Sequence, residues 1–546
     1  MKKITFLCFL LMSLNCLYAQ EDSDYYADYR LKWLDLAEKN KPELIWTVER
    51  PQSIISISKD TTSFQALSVS DRKDVSEIYS APLSDYKDGV ILDFGRHMTG
   101  YLNFSLKSLT RTPDAPLRLK FTFGETLSEV VTPIDPYRGS LARAWFQDEI
   151  VTVSVLPELM KIPRRLSFRY VKVEVVAMPK YKFAFDKLYC EASTSAGSSV
   201  ASLPVETSPM IRKIDSVGLN TLRECMQTVY EDGPKRDRRL WGGDLYLESL
   251  ANNCSFRQFD LTRRCLYLLA GVAAENGILY PTMFEAPYPH PQKERFLLDY
   301  TYLYNVTLLD YLNATGDRKT VEDLWVVAKK QAENILPYLT KENLIDYKRA
   351  NKDWWIFIDW KRQLDKEVAI TGLVLFALEK TYELSEILGK ESEVSYIPSL
   401  LVRMRKAAHN AYFEKSSGLF VSPRTGQYSY QSQIWASLGK IASPKEAVKA
   451  LVGIKKRGDA VRVGTPYAYH YYIQALVDQG LHQMAKQELV DFWGGMVKKG
   501  ADTFWEAYDP YDDYISPYNC HLMNSYCHAW SCTPVYFIRT YPEIFN

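Results

Sequence analysis

The chain has 546 residues, and a typical domain size of roughly 150 residues predicts two to four domains. Hydrophobic residues make up 47% and charged residues 24%, which excludes a chain disordered as a whole and indicates globular domains. The 67 Lys and Arg residues balance 66 Asp and Glu residues, and no segment is strongly basic, so the charge pattern argues against a nucleic-acid partner.

The N-terminus has the order of a secretory signal peptide. A pair of lysines precedes an apolar stretch at residues 4–14, which is followed by small Ala19. This order predicts that residues 1–19 are removed by cleavage after Ala19. A lipid anchor on Cys16 is disfavoured, because the preceding residue is not small. No later segment is apolar over the length of a membrane helix, so we expect a periplasmic or secreted protein without a membrane span.

Residues 20–200 are predicted to form an antiparallel β-sandwich domain. Apolar and polar residues alternate at positions 102–106, 117–123 and 171–175. A period of two indicates half-buried strands, and the Gly and Pro residues between them indicate turns. Residues 192–202 are rich in Ser and Ala, a composition typical of a link between domains.

Residues 205–546 have a helical period and are predicted to form an all-α domain. Ser208 followed by Pro209 indicates a helix start. Further helices are predicted at residues 299–312, 321–339, 368–388 and 399–412. Helices joined by short turns over more than 300 residues form either a closed (α/α)6 barrel or an open α-solenoid. The lack of a fixed repeat favours the barrel.

Outside the signal peptide the chain has seven cysteines: Cys190, Cys225, Cys254, Cys265, Cys520, Cys527 and Cys532. An odd number cannot all form disulfides. Two of them precede His521 and His528, a pairing of zinc-ligand types, but the spacing matches no closed structural zinc site. We therefore predict mainly buried thiols, no metal site and no cofactor.

The densest group of ionisable residues lies at positions 232–244, between two predicted helices. This segment holds three carboxylates, four cations and a tryptophan, with candidate site residues Asp232, Arg236, Asp237, Trp241 and Asp244. Mixed charge between helices is commonly a solvated loop. Here, however, the tryptophan is costly to expose and the two adjacent glycines allow a close backbone approach. We therefore predict a functional site in this segment.

Two further segments place carboxylates among aromatic residues. Glu506 lies beside a tryptophan and precedes His528 in a second aromatic segment, while Asp359 and Trp360 end a tryptophan-rich run. Aromatic faces and carboxylates together suit a sugar, whose C–H faces are apolar and whose hydroxyls need partners. The alternative is core packing, and a lone histidine is more often structural. Glu285 is a weaker reserve carboxylate.

Glycoside hydrolysis needs only two carboxyl groups on opposite sides of the bond, which lie roughly 6.5–9.5 Å apart in inverting enzymes. The sequence contains several such candidates. It lacks the Gly-x-Ser-x-Gly, phosphate-loop and His-Glu-x-x-His motifs, so serine hydrolases, nucleotide enzymes and zinc proteases find no support. A glycosidase is therefore the favoured enzyme class.

Over nearly the whole mature chain, the sequence resembles the bacterial α-L-rhamnosidases of the glycoside hydrolase 78 type, which are six-hairpin (α/α)6 glycosidases. The resemblance is carried by Leu-Asp-Phe-Gly at 92–95, the segment 232–244, Thr-Gly-Asp at 315–317, Ile-Asp-Trp at 358–360, Thr-Phe-Trp-Glu at 503–506 and Cys-His-Ala-Trp-Ser at 527–531. It implies an N-terminal β-sandwich, a helical barrel and metal-independent inversion at the anomeric carbon.

The resemblance also implies residue roles. Glu506 matches the general base, and four residues match positions that line the rhamnose pocket: Asp232, Arg236, Trp241 and Asp244. Well-studied members carry a Glu directly after Arg-Asp or Arg-Glu in this loop, whereas here Asp237 is followed by Arg238 and the loop is one residue shorter. We assign the general acid to Asp237, with Asp244 as the alternative.

The predicted function is therefore that of an exported, inverting exo-glycosidase that removes terminal α-L-rhamnosyl groups from an oligo- or polysaccharide. Two alternatives remain open from the sequence. One is the same barrel acting on another deoxy-sugar, and the other is a catalytically inactive relative that only binds carbohydrate. Asp359, Trp360 and His528 complete the predicted substrate-binding set.

Overall fold

The computed structural model describes residues 24–177, 179–197 and 200–546, so the predicted signal peptide at residues 1–19 lies outside the described residues. Helix α1 (Arg30–Lys39) precedes the first strand. It buries Trp33 and Ala37 in the hydrophobic core of the helical domain rather than in that of the β-domain. Arg30 reinforces this placement by donating hydrogen bonds to the carbonyl oxygens of Gly271 and Ala273. The segment before the first strand thus packs on the helices, although the sequence placed residues 20–200 in one β-domain.

The β-domain is built from one antiparallel sheet with a shared apolar core. Its strands are β1 (Ile45–Glu49), β2 (Ser53–Lys59), β3 (Leu67–Asp74), β4 (Val90–Ser108), β5 (Leu117–Gly124), β6 (Asp148–Val153), β7 (Met160–Lys161), β8 (Leu166–Ala177) and β9 (Phe183–Thr194). The main order is β1-β9-β4-β8-β5-β6, with β2 and β7 also paired to β4 and β3 paired to β2. The apolar side chains predicted from the alternation, among them Leu102, Phe121 and Val173, lie in this core.

A short helix, α2 (Leu127–Val131), follows β5 and begins at a capping box. In this motif the Glu129 carboxylate accepts a hydrogen bond from the backbone N–H of Thr126 at 2.8 Å. The cap fixes the Glu129 side chain at the boundary with the helical domain, where it meets a residue of the candidate site.

The predicted link at residues 192–202 is partly wrong. Ile45 to Thr47 of β1 pair with Thr194, Ser193 and Ala192, so strand β9 continues three residues into the predicted link. Small Ser and Ala residues are compatible with a strand when an edge partner satisfies their backbone groups. Irregular backbone then follows in the described residues up to the first helix of the barrel.

The barrel helices are α3 (Pro209–Cys225), α4 (Gly242–Asn253), α5 (Phe259–Gly271), α6 (Leu298–Thr315), α7 (Arg318–Ala332), α8 (Tyr347–Asp353), α9 (Glu367–Leu388), α10 (Ile397–Tyr412), α11 (Tyr430–Leu438), α12 (Pro444–Ile454), α13 (Pro466–Asp478), α14 (His482–Lys498), α15 (Pro534–Thr540) and α16 (Pro542–Phe545). The predicted start of α3 is confirmed, because the Ser208 side chain caps Ile211 N–H and Pro209 occupies the first turn. The four other predicted helices are present with shifted ends. The helix predicted at 321–339 ends at Ala332.

The inner helices form a closed ring. Helices α4, α6, α9, α11 and α13 contact one another in that order, and the turn Ala529–Ser531 packs between α13 and α4. Helices α5, α7, α10, α12, α14 and α3 lie outside this ring. Because the last inner element returns to the first, the fold is the (α/α)6 barrel and not the open solenoid. No helix in the described ranges is long and apolar enough to cross a membrane.

Short strands complete the barrel domain. β10 (Leu240–Trp241), β11 (Thr282–Phe284) and β12 (His290–Pro291) form a small antiparallel sheet, and β13 (Phe413–Glu414) pairs with β14 (Leu419–Phe420). The first of these sheets joins the charged segment 232–244 to the hairpin that carries β11 and β12.

Candidate active site

A cavity of about 390 Å³ lies at the end of the ring where α4 and α6 begin, because Trp241 and Leu297 precede those helices and both line it. Eight of the nine predicted site residues line this cavity: Asp232, Arg236, Asp237, Trp241, Asp244, Trp360, Glu506 and His528. The two acidic groups assigned as catalytic, Asp237 and Glu506, therefore face the same space although 269 positions separate them in the chain.

Glu506 is held by donors on both carboxylate oxygens. Oε2 accepts a hydrogen bond from Nη2 of Arg236 at 2.5 Å and one from the backbone N–H of Ser525 at 3.0 Å. Oε1 accepts a hydrogen bond from the hydroxyl of Tyr518. Burial raises the pKa of Glu506, but the Arg236 guanidinium and the other donors outweigh it, so the net pKa lies below the usual value. Glu506 is thus an ionised, oriented carboxylate at neutral pH.

Arg236 connects the two catalytic candidates. Its Nη1 lies 3.5 Å from Oδ2 of Asp237, while its Nη2 contacts Glu506. Because both contacts end on one planar guanidinium, these two carboxylate oxygens lie within roughly 8.5 Å of each other. The aromatic ring of Tyr518 lies 4.4 Å from the Arg236 guanidinium carbon and supports it from one side.

Asp237 sits on strained backbone at the more open part of the cavity. Its φ is +60° and that of the following residue, Arg238, is +57°, a conformation that costs energy for residues other than glycine. The side chain of Asp237 is 14% exposed, against 2% for Glu506 and 3% for Asp244. Asp237 is also bound by Arg239, whose Nη2 lies 3.0 Å from Oδ1. Of these three carboxylates, Asp237 is therefore the one closest to solvent.

Arg238 stands where the resemblance places a Glu, and its side chain turns away from the cavity. The guanidinium donates a hydrogen bond to the carbonyl oxygen of Pro234 at 2.9 Å. Burial lowers the pKa of Arg238 to about 10. Arg238 is therefore not part of the cavity lining, and Asp237 is the carboxylate of the loop nearest to solvent.

Asp244 lies deeper in the cavity and has a different electrostatic environment. Burial, with the nearby Glu506 charge, raises the pKa of Asp244 to about 8, so this carboxyl is mainly protonated at neutral pH. The hydroxyl of Tyr300 lies 3.4 Å from Oδ2. His528 Nδ1 lies 3.8 Å from Oδ1, too far for a hydrogen bond, and burial lowers the pKa of His528 to about 4.

Several buried polar atoms around the cavity have no hydrogen-bond partner in the described protein: Trp241 Nε1, Trp360 Nε1, Asp244 Oδ1 and His528 Nδ1. Buried polar groups normally form hydrogen bonds, because an unpaired group costs about 1–3 kcal/mol. All four belong to residues that line the same cavity. This arrangement suits a small ligand with several hydroxyl groups.

Asp232 supports the loop as well as lining the cavity. Its Oδ1 accepts a hydrogen bond from the backbone N–H of Arg239 at 3.2 Å, and its carbonyl oxygen accepts one from the N–H of Ala529 at 2.9 Å. Burial, together with the charges of Asp237 and Asp244, raises the pKa of Asp232 well above its usual value. Asp232 therefore ties the start of the loop to the turn that closes the ring.

The β-domain contributes to the base of the site. Lys235 forms a buried ion pair with Glu129 at the end of the capping box and donates to the carbonyl oxygens of Leu522 and Asn524. Glu125 accepts a hydrogen bond from the N–H of Tyr526 at 2.6 Å. These contacts fix two segments of the site: the loop that carries Arg236, and the segment 522–526, whose Ser525 N–H donates to Glu506.

Asp359 does not line the cavity. Its carboxylate accepts hydrogen bonds from the N–H of Gly464 at 2.8 Å, the hydroxyl of Thr465 at 2.9 Å and the amide of Gln431 at 3.2 Å. Burial raises the pKa of Asp359 despite these donors. Its role is to join the loop before α9 to the beginnings of α11 and α13. The reserve candidate Glu285 pairs with Arg264 at 2.6 Å and does not line the cavity.

The structure adds aromatic residues that the sequence analysis did not select. Tyr300, Trp355, Phe357, Tyr518 and Trp530 all line the cavity. Three of them lie inside segments already singled out as aromatic. Tyr300 lies in helix α6 and Tyr518 in an irregular loop, and neither position has a motif that distinguishes it from a packing tyrosine. Only the closure of the ring identifies them.

In the part of the chain that the structure describes, no three His, Cys, Asp or Glu side chains are grouped as ligands would be. The seven cysteines outside the predicted signal peptide are free thiols, and five of them are buried. Cys225 and Cys527 lie with their sulfur atoms 3.9 Å apart beneath the site.

Family models match both domains. Residues 51–192 match the N-terminal domain of glycosyl hydrolase family 78 α-rhamnosidases, and residues 204–541 match the bacterial α-L-rhamnosidase six-hairpin glycosidase domain. No curated protein gives a significant match to the chain.

Among solved structures, the chain is similar to a rhamnosidase from Klebsiella oxytoca with rhamnose bound. The two share 38% identity with a TM-score of 0.90, over 94% of this chain and 99% of the other. A family 78 rhamnosidase of Bacillus sp. GL1 has a TM-score of 0.69 at 18% identity, over 82% of this chain and 46% of the other. An α-L-rhamnosidase of Streptomyces avermitilis in complex with L-rhamnose has a TM-score of 0.65 at 16% identity, over 91% and 44%. The last two support the fold alone.

Proposed function

The chain belongs to the bacterial α-L-rhamnosidase family of six-hairpin glycosidases and is a glycoside hydrolase, and we propose that it removes terminal α-L-rhamnosyl groups from glycans with inversion at the anomeric carbon. The observation that carries the proposal is the pairing of Glu506 with Asp237 across one cavity. The cavity, whose volume of about 390 Å³ includes the open space at its mouth, suits a single sugar at the end of a chain, which favours exo-action.

Glu506 acts as the general base in this proposal. The low pKa and the three donors keep its carboxylate ionised and fixed, ready to accept a proton from a water molecule. The water attacks the anomeric carbon while the glycosidic bond breaks. The limit of roughly 8.5 Å between the Glu506 and Asp237 oxygens is compatible with the spacing of roughly 6.5–9.5 Å that inversion requires.

Asp237 acts as the general acid. The glycosidic oxygen of an exo-substrate lies between the enclosed sugar and the leaving group, so the acid must stand near the opening of the cavity. Asp237 is the most exposed of the three candidate carboxylates, whereas Asp244 is deep and has an unpaired oxygen for a sugar hydroxyl. Asp237 gives its proton to the leaving oxygen as Glu506 receives one from water.

The test compares three variants on two classes of rhamnoside. Asp237→Asn is expected to slow hydrolysis of methyl α-L-rhamnoside about 100-fold or more, and to slow an activated dinitrophenyl rhamnoside much less, because a good leaving group needs no proton. Glu506→Gln is expected to slow both. If Asp244→Asn, and not Asp237→Asn, shows the leaving-group dependence, the acid is Asp244.

Two further measurements address the sugar and the stereochemistry. NMR of the first-formed product is expected to show β-L-rhamnose from an α-L-rhamnoside, and α-L-rhamnose would contradict inversion. Nitrophenyl α-L-fucoside and α-D-mannoside serve as competing substrates. Faster cleavage of either would assign the pocket to another sugar, and saccharide binding without cleavage of any glycoside would indicate an inactive relative.

We propose in addition that the protein is exported. The basis is the order of charged, apolar and small residues at positions 1–19. Expression of the full chain in a bacterium, followed by fractionation and N-terminal sequencing, is expected to yield a periplasmic or secreted protein that begins at Gln20. A cytoplasmic protein that retains its first residues would contradict this expectation.

A further inference from the structure

The hairpin of β11 and β12 stands beside the opening of the cavity. β10 belongs to the catalytic loop, and its Trp241, which lines the cavity, pairs with Thr282 of β11. β11 in turn pairs with β12 through Phe284 and His290. The small sheet therefore continues the wall of the cavity outward toward solvent.

Arg239 links this hairpin directly to the general acid. One of its terminal nitrogens lies 3.0 Å from Asp237, and the other donates a hydrogen bond of 2.5 Å to the side-chain oxygen of Gln292. The guanidinium carbon also lies 4.7 Å from the centre of the Phe284 ring. This part of the hairpin therefore lies close to Asp237, which protonates the leaving group in the proposed mechanism.

The hairpin carries a cluster of aromatic side chains there. The rings of Phe284 and His290 are stacked, with centroids 5.0 Å apart and an angle of 12° between planes, so each covers one face of the other, and the Arg239 guanidinium lies over the Phe284 ring. The faces left for a ligand are those of Tyr288 and the outer face of His290. Tyr288 adjoins His290 at 5.4 Å and is 67% exposed, so most of its ring is accessible to a ligand. The side chains of Phe284 and His290 are half-buried.

His290 also offers a polar atom in a fixed orientation. Its Nδ1 lies 2.7 Å from the carbonyl oxygen of Tyr288. A carbonyl oxygen only accepts, so Nδ1 carries the hydrogen and Nε2 of the neutral ring is left as an acceptor. The surface thus combines aromatic faces with an acceptor suited to a hydroxyl group.

We propose that Tyr288 and His290 bind the sugar ring of the leaving group, the residue to which the terminal rhamnose is attached, and that Phe284 holds the His290 ring in place by stacking. This assignment rests on the proposed function and extends it to the substrate class, because it makes the preferred substrate a rhamnosyl oligosaccharide. The apolar C–H face of a pyranose packs on the aromatic surface, and one of its hydroxyls donates to Nε2 of His290.

The experiment measures kcat/KM for a rhamnosyl disaccharide and for methyl α-L-rhamnoside in Tyr288→Ala and His290→Ala variants. The preference of the wild-type enzyme for the disaccharide over the methyl glycoside is expected to fall about fivefold to tenfold in each variant, the size expected for loss of one aromatic contact. The inhibition constant of free L-rhamnose, which fills only the cavity, provides a second readout and is expected to change less than twofold.

Trp46→Ala is the matched control, because this tryptophan is 52% exposed on strand β1 of the β-domain. It is expected to leave the preference unchanged. An unchanged preference in both hairpin variants, or an equal loss on both substrates, would overturn the assignment while leaving the proposed function intact. If kcat/KM of the hairpin variants falls on nitrophenyl rhamnoside but not on the disaccharide, the hairpin binds a planar aromatic leaving group and not a sugar. No cleavage of any rhamnoside by the wild-type enzyme would overturn the proposed function and this assignment with it.

Discussion

Tyr518→Phe tests whether the donors around Glu506 set the pH range of catalysis. The substitution removes the hydroxyl that donates to Oε1 of Glu506 and keeps the ring that lies beside the Arg236 guanidinium. A hydrogen bond to a charged group contributes about 1.5–3 kcal/mol, and one pKa unit corresponds to about 1.4 kcal/mol. The pKa of Glu506 should therefore rise by about 1–2 units in the variant.

The direction of the pH change follows from the proposed role of Glu506 as a base. The carboxylate must be ionised to accept a proton, so activity is lost as the pH falls through the pKa of Glu506. In the wild-type enzyme that pKa lies below the usual value. When the Tyr518 donor is removed, the acid limb of the kcat/KM profile should move to higher pH, while activity on the alkaline side of the limb changes little.

The assay is a kcat/KM profile from pH 3 to 9 on an aryl rhamnoside, with Tyr526→Phe as the matched control. Tyr526 is also buried, but its hydroxyl bonds to Gln65 and to the carbonyl oxygen of His521 rather than to Glu506. The same acid limb in Tyr518→Phe and in the wild-type enzyme would refute the reasoning. An equal displacement in both variants would attribute the effect to general disturbance of the site.

Three more predictions concern buried carboxyl groups. Glu129→Gln removes the nearer carboxylate from the buried Lys235 ammonium and leaves Glu125, 3.7 Å from Lys235 Nζ, as the remaining one. The free energy of unfolding measured in urea should therefore fall by up to about 3 kcal/mol, and a fall below about 1 kcal/mol would contradict the ion pair. Asp359→Ala leaves the buried donors of Gly464 and Thr465 without an acceptor, so the free energy of unfolding should fall by at least about 2 kcal/mol. The inhibition constant of rhamnose should stay within twofold of the wild-type value. A large rise in that constant would show that Asp359 contacts the sugar. Asp244 has a pKa of about 8 in the folded protein, against about 3.9 for an aspartate in an unfolded chain, so the folded state holds an extra proton between these pH values and loses stability as the pH rises through them. The melting temperature of Asp244→Asn should therefore exceed that of the wild-type protein by a margin that grows from pH 5 to pH 8. A margin that stays constant over this range would contradict the raised pKa.

Local sequence patterns were sufficient for the order of the architecture and for most of the site. The alternation of apolar residues in β4 and β5 and the Ser208-Pro209 start of α3 depend only on neighbours along the chain, and the structure confirms them. The segment 232–244 was recognisable because charge, tryptophan and paired glycines occur together within thirteen residues.

The same patterns failed where the partner of a side chain is distant in sequence. Asp359 has the carboxylate-among-aromatics pattern of Glu506, yet donors on Gln431, Gly464 and Thr465 turn it away from the cavity. Tyr518 has no distinguishing pattern and nevertheless donates a hydrogen bond to Glu506, the proposed general base.

The sequence alone predicted the class of the fold, the family resemblance and eight of the fourteen residues that line the cavity. The tertiary structure decided which carboxylate is exposed, which is protonated and which only joins helices. The physical reason is that periodicity along a chain encodes which face of an element is buried, whereas the pKa and orientation of a buried carboxyl depend on charges and donors that other elements bring to it. Those elements meet only when the ring of helices closes and the β-domain packs against it.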